Sequence, residues 1–321
     1  MLEAKLQHAS VLRRLFESIK DMVSDVNLDC DDTGLRLQAM DSSHVALVAL
    51  KLDDVGFVHF RCDRERSLGL NLASVCKVFK LCSNADSCSI QNEEDSDTVT
   101  FVFENEADEK LSSFSLRLMA IDQDALRVPE DETAHDVTVK MSAREFANVV
   151  RIMGEFSDSV RVEVDKLGVK FVTQGDLGVG EVLLKPKPFA NGDDSGVEIQ
   201  VNSPVCQTYA VKYLNYFAKA ASLSSSVTLS LTDQNPIEVR FDILEPAAGA
   251  AASAGGDRAG DESQGDEGRA REGRRQTQQP RSCIGHVKFF LAPKMDDDAI
   301  GGEDDGGNGD ARGMEDSMMD D

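Results

Sequence analysis

Basic side chains recur in four short segments of this chain, each opposite a stripe of apolar residues. Spacings of three, four or seven residues bring such side chains to one face of a helix. Lysine and arginine neutralise phosphate groups, and without partners that read bases they bind nucleic acid with no sequence preference. The predicted phosphate-contacting residues are Arg13, Arg14, Lys20, Lys77, Lys80, Arg151, Lys212 and Lys219.

The rest of the chain is strongly acidic. It has 58 Asp and Glu against 34 Lys and Arg, and its formal net charge is −24. This charge argues against a protein that coats nucleic acid or an anionic membrane with its whole surface. On any single helix a basic face is ordinary solvated surface, but its recurrence on four helices favours one shared basic wall inside an acidic shell.

The motifs that could support catalysis are weak. The glycine-rich sequence GDLGVG at 175–180 is not a P-loop and falls in a predicted strand. The acids of DQD at 122–124 could bind a cation, but exposed acids in a linker usually do not. No Ser-His-Asp set or pair of catalytic carboxylates is evident, so we expect a protein that is not an enzyme.

The cysteines indicate a reduced compartment and no metal site. There are seven of them, and none forms a C-x-x-C pair. His59 and Cys62 are the only close His/Cys pair, whereas a zinc site needs two such pairs. The first ten residues lack the apolar core of a signal peptide, and the apolar run at 45–50 is too short to span a bilayer. We therefore expect a soluble intracellular protein with no cofactor and no membrane partner.

An internal repeat defines the elements that carry the basic residues. Residues 24–41 match 158–176 when Gly34 is set on Gly168, an offset of 134. The same offset holds upstream, where the apolar spacing of three and four predicts helices, and downstream, where a spacing of two predicts hairpins. The matched apolar pairs are Leu12 with Phe146, Leu15 with Val149, Phe16 with Val150, Ile19 with Met153, Val26 with Val160, Leu28 with Val162, Leu35 with Val169, and Leu37 with Phe171. The repeat predicts two similar domains.

Each half also contains a second helix followed by strands, predicted at 71–82 and at 210–220. Strands outnumber helices, which predicts an α+β fold: two β-rich domains with four amphipathic helices on one face of the sheets. Ser142 and Glu145 have the spacing of a capping box at the start of the third helix.

Composition divides the chain further. The stretch 246–281 is rich in Gly, Ala and charged residues and reads as a disordered insertion, and 296–321 reads as a disordered acidic tail. The linker between the repeats carries Ile121, Leu126 and Val128, which is unusual for a solvated connector. The predicted divisions are an N-terminal domain at 1–117, a connector at 118–134, and a C-terminal domain at 135–295 that contains the insertion.

Several stretches are close to signature sequences of a known family: LQAMDSSHVALV (37–48), RCDR (61–64), YLNYFAKA (213–220), LSSSVTLS (223–230) and LAPK (291–294). In these stretches the chain resembles the proliferating cell nuclear antigen family of eukaryotic DNA sliding clamps, over about residues 1–245 and 283–295. The resemblance implies a nuclear, homotrimeric ring around duplex DNA, with helices lining the hole. The basic residues above then face the hole and bind DNA without sequence specificity. Asn148 departs from the pattern, because relatives often carry a basic residue there.

The resemblance also implies a groove beside the connector. In the family this groove binds DNA polymerases, the clamp loader, a nuclease and a ligase through a short peptide motif that contains aromatic residues. The alternative is that Leu126 and Val128 pin the connector onto its own domain, and the two roles are compatible. The groove residues implied here are Met40, His44, Val45, Leu47, Leu126, Val128, Pro129, Pro236, Phe290, Ala292 and Pro293. Phe290 stands where relatives often have Tyr.

The family pairs two edge strands between subunits, which here match residues 110–117 and 176–185. The alternative is that both are internal strands of one subunit. The implied subunit contacts are Lys110, Phe114, Leu116, Leu177 and Val179, and Lys166 matches a lysine that accepts ubiquitin. A subunit of a checkpoint-type heterotrimeric clamp is the alternative function, and both edges resemble the homotrimeric type more closely.

Overall fold

The computed structural model describes residues 1–122, 135–189, 195–245 and 282–294. Within these ranges there are eighteen strands and four α-helices. In the N-terminal half they are β1 (Leu2–Leu6), α1 (Ala9–Ile19), β2 (Asp25–Asp31), β3 (Gly34–Met40), β4 (Ala46–Asp53), β5 (His59–Cys62), β6 (Arg66–Asn71), α2 (Leu72–Phe79), β7 (Ser87–Asn92), β8 (Thr98–Asn105) and β9 (Lys110–Arg117).

The C-terminal half repeats the same order of elements. They are β10 (Val137–Ser142), α3 (Ala143–Gly154), β11 (Ser159–Asp165), β12 (Gly168–Gly175), β13 (Gly178–Leu184), β14 (Val197–Val201), β15 (Val205–Ala210), α4 (Val211–Ala218), β16 (Ser226–Leu231), β17 (Ile237–Leu244) and β18 (Cys283–Leu291). Among the described residues each half thus has nine strands and two α-helices, and the prediction of two similar α+β halves is confirmed.

The predicted offset of 134 holds at the level of whole elements. α1 begins at Ala9 and α3 at Ala143, and β2 begins at Asp25 and β11 at Ser159. All eight matched apolar pairs are buried in both halves. The repeat in the sequence therefore reflects one packing arrangement used twice.

The strands form three antiparallel sheets. A five-stranded sheet has the order β5-β1-β7-β8-β9, and a four-stranded sheet has the order β13-β12-β11-β15. A nine-stranded sheet, β14-β10-β16-β17-β18-β4-β3-β2-β6, runs through both halves and joins them where β18 pairs with β4. At that junction Gly285 leaves room for the neighbouring strand, since a Cβ there would lie 2.1 Å from the Lys51 carbonyl oxygen.

The four helices form one row in the order α2, α1, α4, α3. α1 packs against α2 in its own half and against α4 in the other half, and α4 packs against α3. Each helix turns its apolar stripe toward the sheets, as the periodicity predicted. In the N-terminal half this stripe meets a phenylalanine cluster, where the ring of Phe79 lies 5.5 Å from Phe16 and 5.4 Å from Phe101.

The capping-box prediction for the third helix is wrong. The Ser142 side chain makes no capping hydrogen bond. The first helical N–H, that of Ala143, instead donates to the Ser225 carbonyl at 2.9 Å. β10 continues directly into α3, and β10 pairs with β16. Ser225, the residue before β16, therefore lies close enough to accept the Ala143 N–H, which has no acceptor within the helix.

Candidate DNA interface and docking groove

The exposed side of the helix row carries the predicted cations. Lys77, Lys80, Arg151, Lys212 and Lys219 are exposed. Arg13, Arg14 and Lys20 on and after α1 are partly exposed. Because the four helices share one row, the basic residues lie along one surface, as the charge pattern indicated.

In the described part of the chain, two of these cations form ion pairs with a carboxylate. Arg13 Nε lies 3.3 Å from Glu17 Oε1, and Lys219 pairs with Asp21. Both pairs are partly exposed, and such pairs contribute less than about 1 kcal/mol. A phosphate group can therefore replace the carboxylate at little energetic cost.

The Arg14 side chain stabilises the fold by hydrogen bonds to backbone carbonyls, a role that the sequence did not indicate. Its Nε donates to the Ser10 carbonyl at 3.1 Å, and its Nη1 donates to the Ser222 carbonyl at 2.8 Å. Ser222 belongs to the C-terminal half, so this side chain links the two halves. Burial lowers the pKa of Arg14 from its usual value, and its guanidinium is committed mainly to protein carbonyls.

Tyr216 is a functional candidate that sequence reasoning missed. The Lys219 ammonium lies 5.2 Å from the Tyr216 ring centroid, and that of Lys212 lies 5.8 Å from the same centroid. Such contacts position a cation without neutralising it. The sequence did contain a signal for this contact: Tyr216 follows Lys212 by four positions, which places both side chains on the same helix face.

The outer face of the nine-stranded sheet has an apolar end. Met40 is opposite Leu47 on β4, and Leu47 is opposite Phe290 on β18, so the three side chains form one row on neighbouring strands. The Ala292 N–H donates to the Val45 carbonyl at 3.1 Å, which holds 292–293 beside the loop at 41–45.

The remaining groove residues surround this row. Pro236 is exposed just before β17, and Pro293 is partly exposed. His44 is exposed with a φ of 56°, and Val45 is 37% exposed. The groove residues Leu126, Val128 and Pro129 lie outside the described residues, so the structure brings together the other eight: Met40, His44, Val45, Leu47, Pro236, Phe290, Ala292 and Pro293.

The beginning of the connector is attached to the sheet edge. The Met119 N–H donates to the Gly69 carbonyl at 2.9 Å, and Asn27 Nδ2 donates to the Ile121 carbonyl at 3.0 Å. These bonds place the described start of the connector against β6 and β2.

Asp41 organises the loop that carries His44 and Val45. Its carboxylate accepts the N–H of Val45 at 2.9 Å and of Ala46 at 2.8 Å, and the Tyr213 hydroxyl at 2.7 Å. Burial alone would raise the pKa of Asp41, but the hydrogen bonds from these backbone amides and from Tyr213 outweigh it and lower the pKa. Because Tyr213 belongs to α4, Asp41 connects the groove to the helix row. Sequence reasoning passed over both residues.

The two strands expected at the subunit contact are edge strands in the described part of the chain. β9 ends the five-stranded sheet and β13 ends the four-stranded sheet. The alternative that both are internal strands of the subunit is therefore wrong. The opposite edge, β15, is partly covered because Lys294 N–H donates to the Thr208 carbonyl at 2.8 Å.

The apolar residues of these edges are mostly exposed. Leu177 is 78% exposed and Val179 is 66% exposed. Lys110 is exposed, whereas Phe114 and Leu116 are partly buried, with Phe114 6.0 Å from the Phe103 ring. Leu111, at 70% exposure, belongs with this set although it was not predicted.

Lys166 is exposed in the tight turn between β11 and β12. The Asp165 carboxylate shapes this turn by accepting the N–H of Leu167 at 2.7 Å. Within the described ranges, no cluster of three or more His, Cys, Asp and Glu side chains is placed to hold a metal ion. Among the described helices, none is both long and apolar enough to span a membrane.

Two similar halves, with a row of helices on one side and sheets on the other, have the architecture of DNA clamps. The family model described as the N-terminal domain of proliferating cell nuclear antigen matches residues 1–126, and the model of its C-terminal domain matches residues 128–250. This chain belongs to the proliferating cell nuclear antigen family, and it is a DNA sliding clamp.

Similar proteins include Proliferating cell nuclear antigen 1 from the K1/Thailand and 3D7 isolates of Plasmodium falciparum. Each is 45% identical to this chain over 298 residues, which cover 93% of this chain and 98% of the relative. Homotrimeric rings that encircle DNA and bind polymerases and repair factors are typical of the family.

Proposed function

We propose that three copies of this chain close into a ring whose helix rows line the hole, and that the cations of the helix row hold duplex DNA by diffuse phosphate contacts. The observation that carries this proposal is the single basic row in a chain of net charge −24. Weak contacts of this kind have no sequence preference and let the ring slide. The residues proposed for DNA contact are Arg13, Arg14, Lys20, Lys77, Lys80, Arg151, Lys212 and Lys219. Arg14 contributes mainly its charge, because its guanidinium donates to the Ser10 and Ser222 carbonyls.

The apolar row of Met40, Leu47 and Phe290 supports a docking site for partner peptides. An apolar trough on an exposed sheet face, with polar residues around it, is typical of a peptide-binding surface. Leu126, Val128 and Pro129 of the connector complete the proposed groove. Phe290 offers no hydroxyl, so we expect this groove to select partner aromatic residues by shape.

Ring closure is proposed to pair β9 of one subunit with β13 of the next. Their free backbone groups and the exposed Leu177 and Val179 support this pairing. One kind of subunit with two complementary edges favours a homotrimer over a checkpoint-type mixed ring. Light scattering on the pure protein distinguishes them, since a homotrimer has three times the 34.9 kDa mass of one chain.

We also infer that the protein acts in the nucleus and has no catalytic activity of its own. A replication factor of this family works where chromosomal DNA is, and a clamp acts by tethering other proteins. Lys166 is proposed as a modification site because its turn is exposed. The domain boundaries 1–117, 118–134 and 135–295 remain our proposal.

The DNA contacts are tested by reversing three exposed cations of the helix row, Lys77→Glu, Lys80→Glu and Lys219→Glu. Polymerase processivity on a primed template should fall sharply, because each reversal replaces attraction to phosphate with repulsion. The matched control reverses three exposed arginines away from the helices, Arg61→Glu, Arg64→Glu and Arg161→Glu. Wild-type processivity in the helix variant would contradict the proposal.

A further inference from the structure

The chain leaves its described part close to one end of the helix row. Lys294, the last described residue, donates its N–H to the Thr208 carbonyl at 2.8 Å and its ammonium to the Ser159 hydroxyl. Thr208 lies on β15, which continues directly into α4. The first N–H of α4, that of Val211, donates to the Asp158 carbonyl at 2.9 Å. The residues after Lys294 therefore start beside the N-terminal end of α4.

The sequence that starts at this point is the acidic tail, residues 295–321. It contains eleven Asp and Glu residues and one base, Arg312, which gives it a formal net charge of −10. Its first three acids, at 296–298, follow Lys294 by two to four residues. Because one residue spans at most ~3.6 Å, the backbone of these acids stays within about 15 Å of Lys294. The tail thus brings negative charge to the end of the helix row.

The length of the tail is sufficient to reach every helix of the row. A Gly-rich chain as long as residues 295–321 has an r.m.s. end-to-end distance of about 30 Å. Packed helices lie about 8–10 Å apart, and α4 packs against both α1 and α3. The most distant helix, α2, is therefore only about 20 Å from α4.

The helix row offers cations that no carboxylate neutralises within the described ranges. The ion pairs there are those of Arg13 with Glu17 and of Lys219 with Asp21. The Lys212 ammonium instead lies over aromatic rings, 5.6 Å from the Tyr213 centroid and 5.8 Å from that of Tyr216, and these rings leave its charge in place. The described cations of the row without an ion pair include Lys20, Lys77, Lys80 and Lys212.

We propose that the acidic tail docks on the basic helix row of its own ring and competes there with DNA phosphates. Both the tail and DNA are polyanions, and lysines bind both without sequence preference. Because the tail is tethered, its effective concentration at the row is on the order of 1 mM. If the row binds a polyanion with a Kd on the order of 10⁻⁴ M, this concentration lowers the affinity for DNA by about tenfold. The inference rests on the proposed DNA binding by the helix row and adds a regulation of it.

The test neutralises part of the tail in the full chain. Six tail acids, at 296–298 and 303–305, are changed to Asn or Gln, and binding of a fluorescent DNA duplex is followed by anisotropy. At about 50 mM salt the variant should bind DNA about three to ten times more tightly than the wild type. At about 200 mM salt the difference should be small, because salt weakens the contacts of the tail with the row.

The matched control removes the same number of charges from exposed positions between strands of the N-terminal half, and it should keep the wild-type affinity for DNA. These positions are Asp32, Asp54, Glu65, Glu93, Asp95 and Asp97. An equal gain in affinity in the control and in the tail variant would mean that net charge alone sets DNA binding, and it would overturn the inference.

A separate peptide distinguishes docking from repulsion at a distance. A labelled peptide with the sequence 295–321 is titrated into the variant with the neutralised tail at about 50 mM salt. We expect the peptide to bind, and Lys20→Gln with Lys212→Gln should abolish this binding. The control, Arg61→Gln with Arg64→Gln, removes two exposed cations elsewhere and should leave it unchanged. A gain in DNA affinity without peptide binding would mean that the tail only repels DNA, which overturns the docking.

The remaining outcomes separate this inference from the proposed function. If Lys20→Gln with Lys212→Gln weakens DNA binding but neutralising the tail changes nothing, the helix row binds DNA and the tail inference is overturned. If neither change affects DNA binding, the proposed DNA contacts fail as well. A tail peptide that is displaced by a partner peptide but not by DNA would lie in the docking groove, and this result would also overturn the assignment to the helix row.

Discussion

Asp41 connects the outer groove with the helix row through one carboxylate. It is 6% exposed and accepts hydrogen bonds from three backbone amides of its own loop and from Tyr213 of the other half. A buried carboxylate is stable only when it is hydrogen-bonded in this way. The loop that borders the proposed docking groove therefore depends on a contact between the halves.

We expect Asp41→Ala to lower the free energy of unfolding by about 2–4 kcal/mol, because it leaves several buried donors without an acceptor. Tyr213→Phe, which removes only the hydroxyl, should cost about 1–2 kcal/mol. Urea unfolding measures both values. A change below about 0.5 kcal/mol for Asp41→Ala, the usual range for surface substitutions, would contradict this role.

His286 on β18 gives the second prediction at this scale. Burial, and then the nearby positive charges of Arg240 and Lys288, lower its pKa from 6.5 to about 4, although Asp242 and Asp53 oppose the shift. Between these values the unfolded chain binds a proton that the folded chain does not. Acidification from pH 6.5 to 4 therefore favours unfolding through this residue, and above pH 6.5 it contributes no pH dependence.

Between pH 6.5 and 4, the free energy of unfolding should fall by about 2–3 kcal/mol less in the variant His286→Gln than in the wild type. Thermal unfolding at several pH values measures the difference. Asp41 acts in a lower window, because its pKa is below the usual 3.8 and its stabilisation is lost only as pH falls through and below that value. Parallel curves for the variant and the wild type between pH 4 and 6.5 would contradict the assignment to His286.

At the scale of elements, the proposed subunit contact uses the two edge strands β9 and β13. Val179→Asp places a charge on β13 where the proposed pairing would bury it, at a cost of several kcal/mol. The expected product is a monomer by light scattering. Leu167→Asp is the matched control, because Leu167 is 75% exposed on the same sheet but lies in a turn. A Val179→Asp protein that remains trimeric would place the subunit contact elsewhere.

The helices and most strands could be predicted because their apolar residues follow one period. The repeat offset identified α1, α3, β2 and β11, since the packing of one half is used again in the other. The position of the start of α3 was predicted, but its capping could not be, because the Ala143 N–H is satisfied by Ser225, which is far away in sequence.

The site was predictable to a similar extent. The exposed cations follow from helix period, but the commitment of Arg14 to Ser222 and the role of Asp41 depend on contacts between the halves. No local pattern brings such residues together. The groove side of the connector lies outside the described residues, so Leu126, Val128 and Pro129 remain predictions.

At the scale of the whole molecule, the 36-residue stretch 246–281 interrupts the hairpin of β17 and β18. The hairpin still closes, since Glu245 N–H donates to the Ser282 carbonyl at 3.1 Å. Replacing 246–281 with Asn-Gly should therefore preserve the ring and raise the free energy of unfolding by about 1–3 kcal/mol, because a shorter loop costs less entropy to close.

Calorimetry and light scattering check this expectation. The control replaces the same stretch with a Gly/Ser segment of equal length, which should unfold like the wild type. A large loss of stability in both variants would mean that the natural stretch packs against the folded chain.

The nine-stranded sheet has a mechanical consequence. A continuous ladder of backbone hydrogen bonds crosses from one half to the other through β18 and β4, and the bonds of Arg14 and Asp41 tie the same halves together on the helix side. Because hydrogen bonds join the two halves on both faces, we expect each subunit to move as one rigid, curved body without a hinge between its halves. A ring built from stiff arcs cannot be widened by bending them. To admit a DNA strand it must part at a joint between neighbours, so the force of a loading machine has to be delivered at one seam.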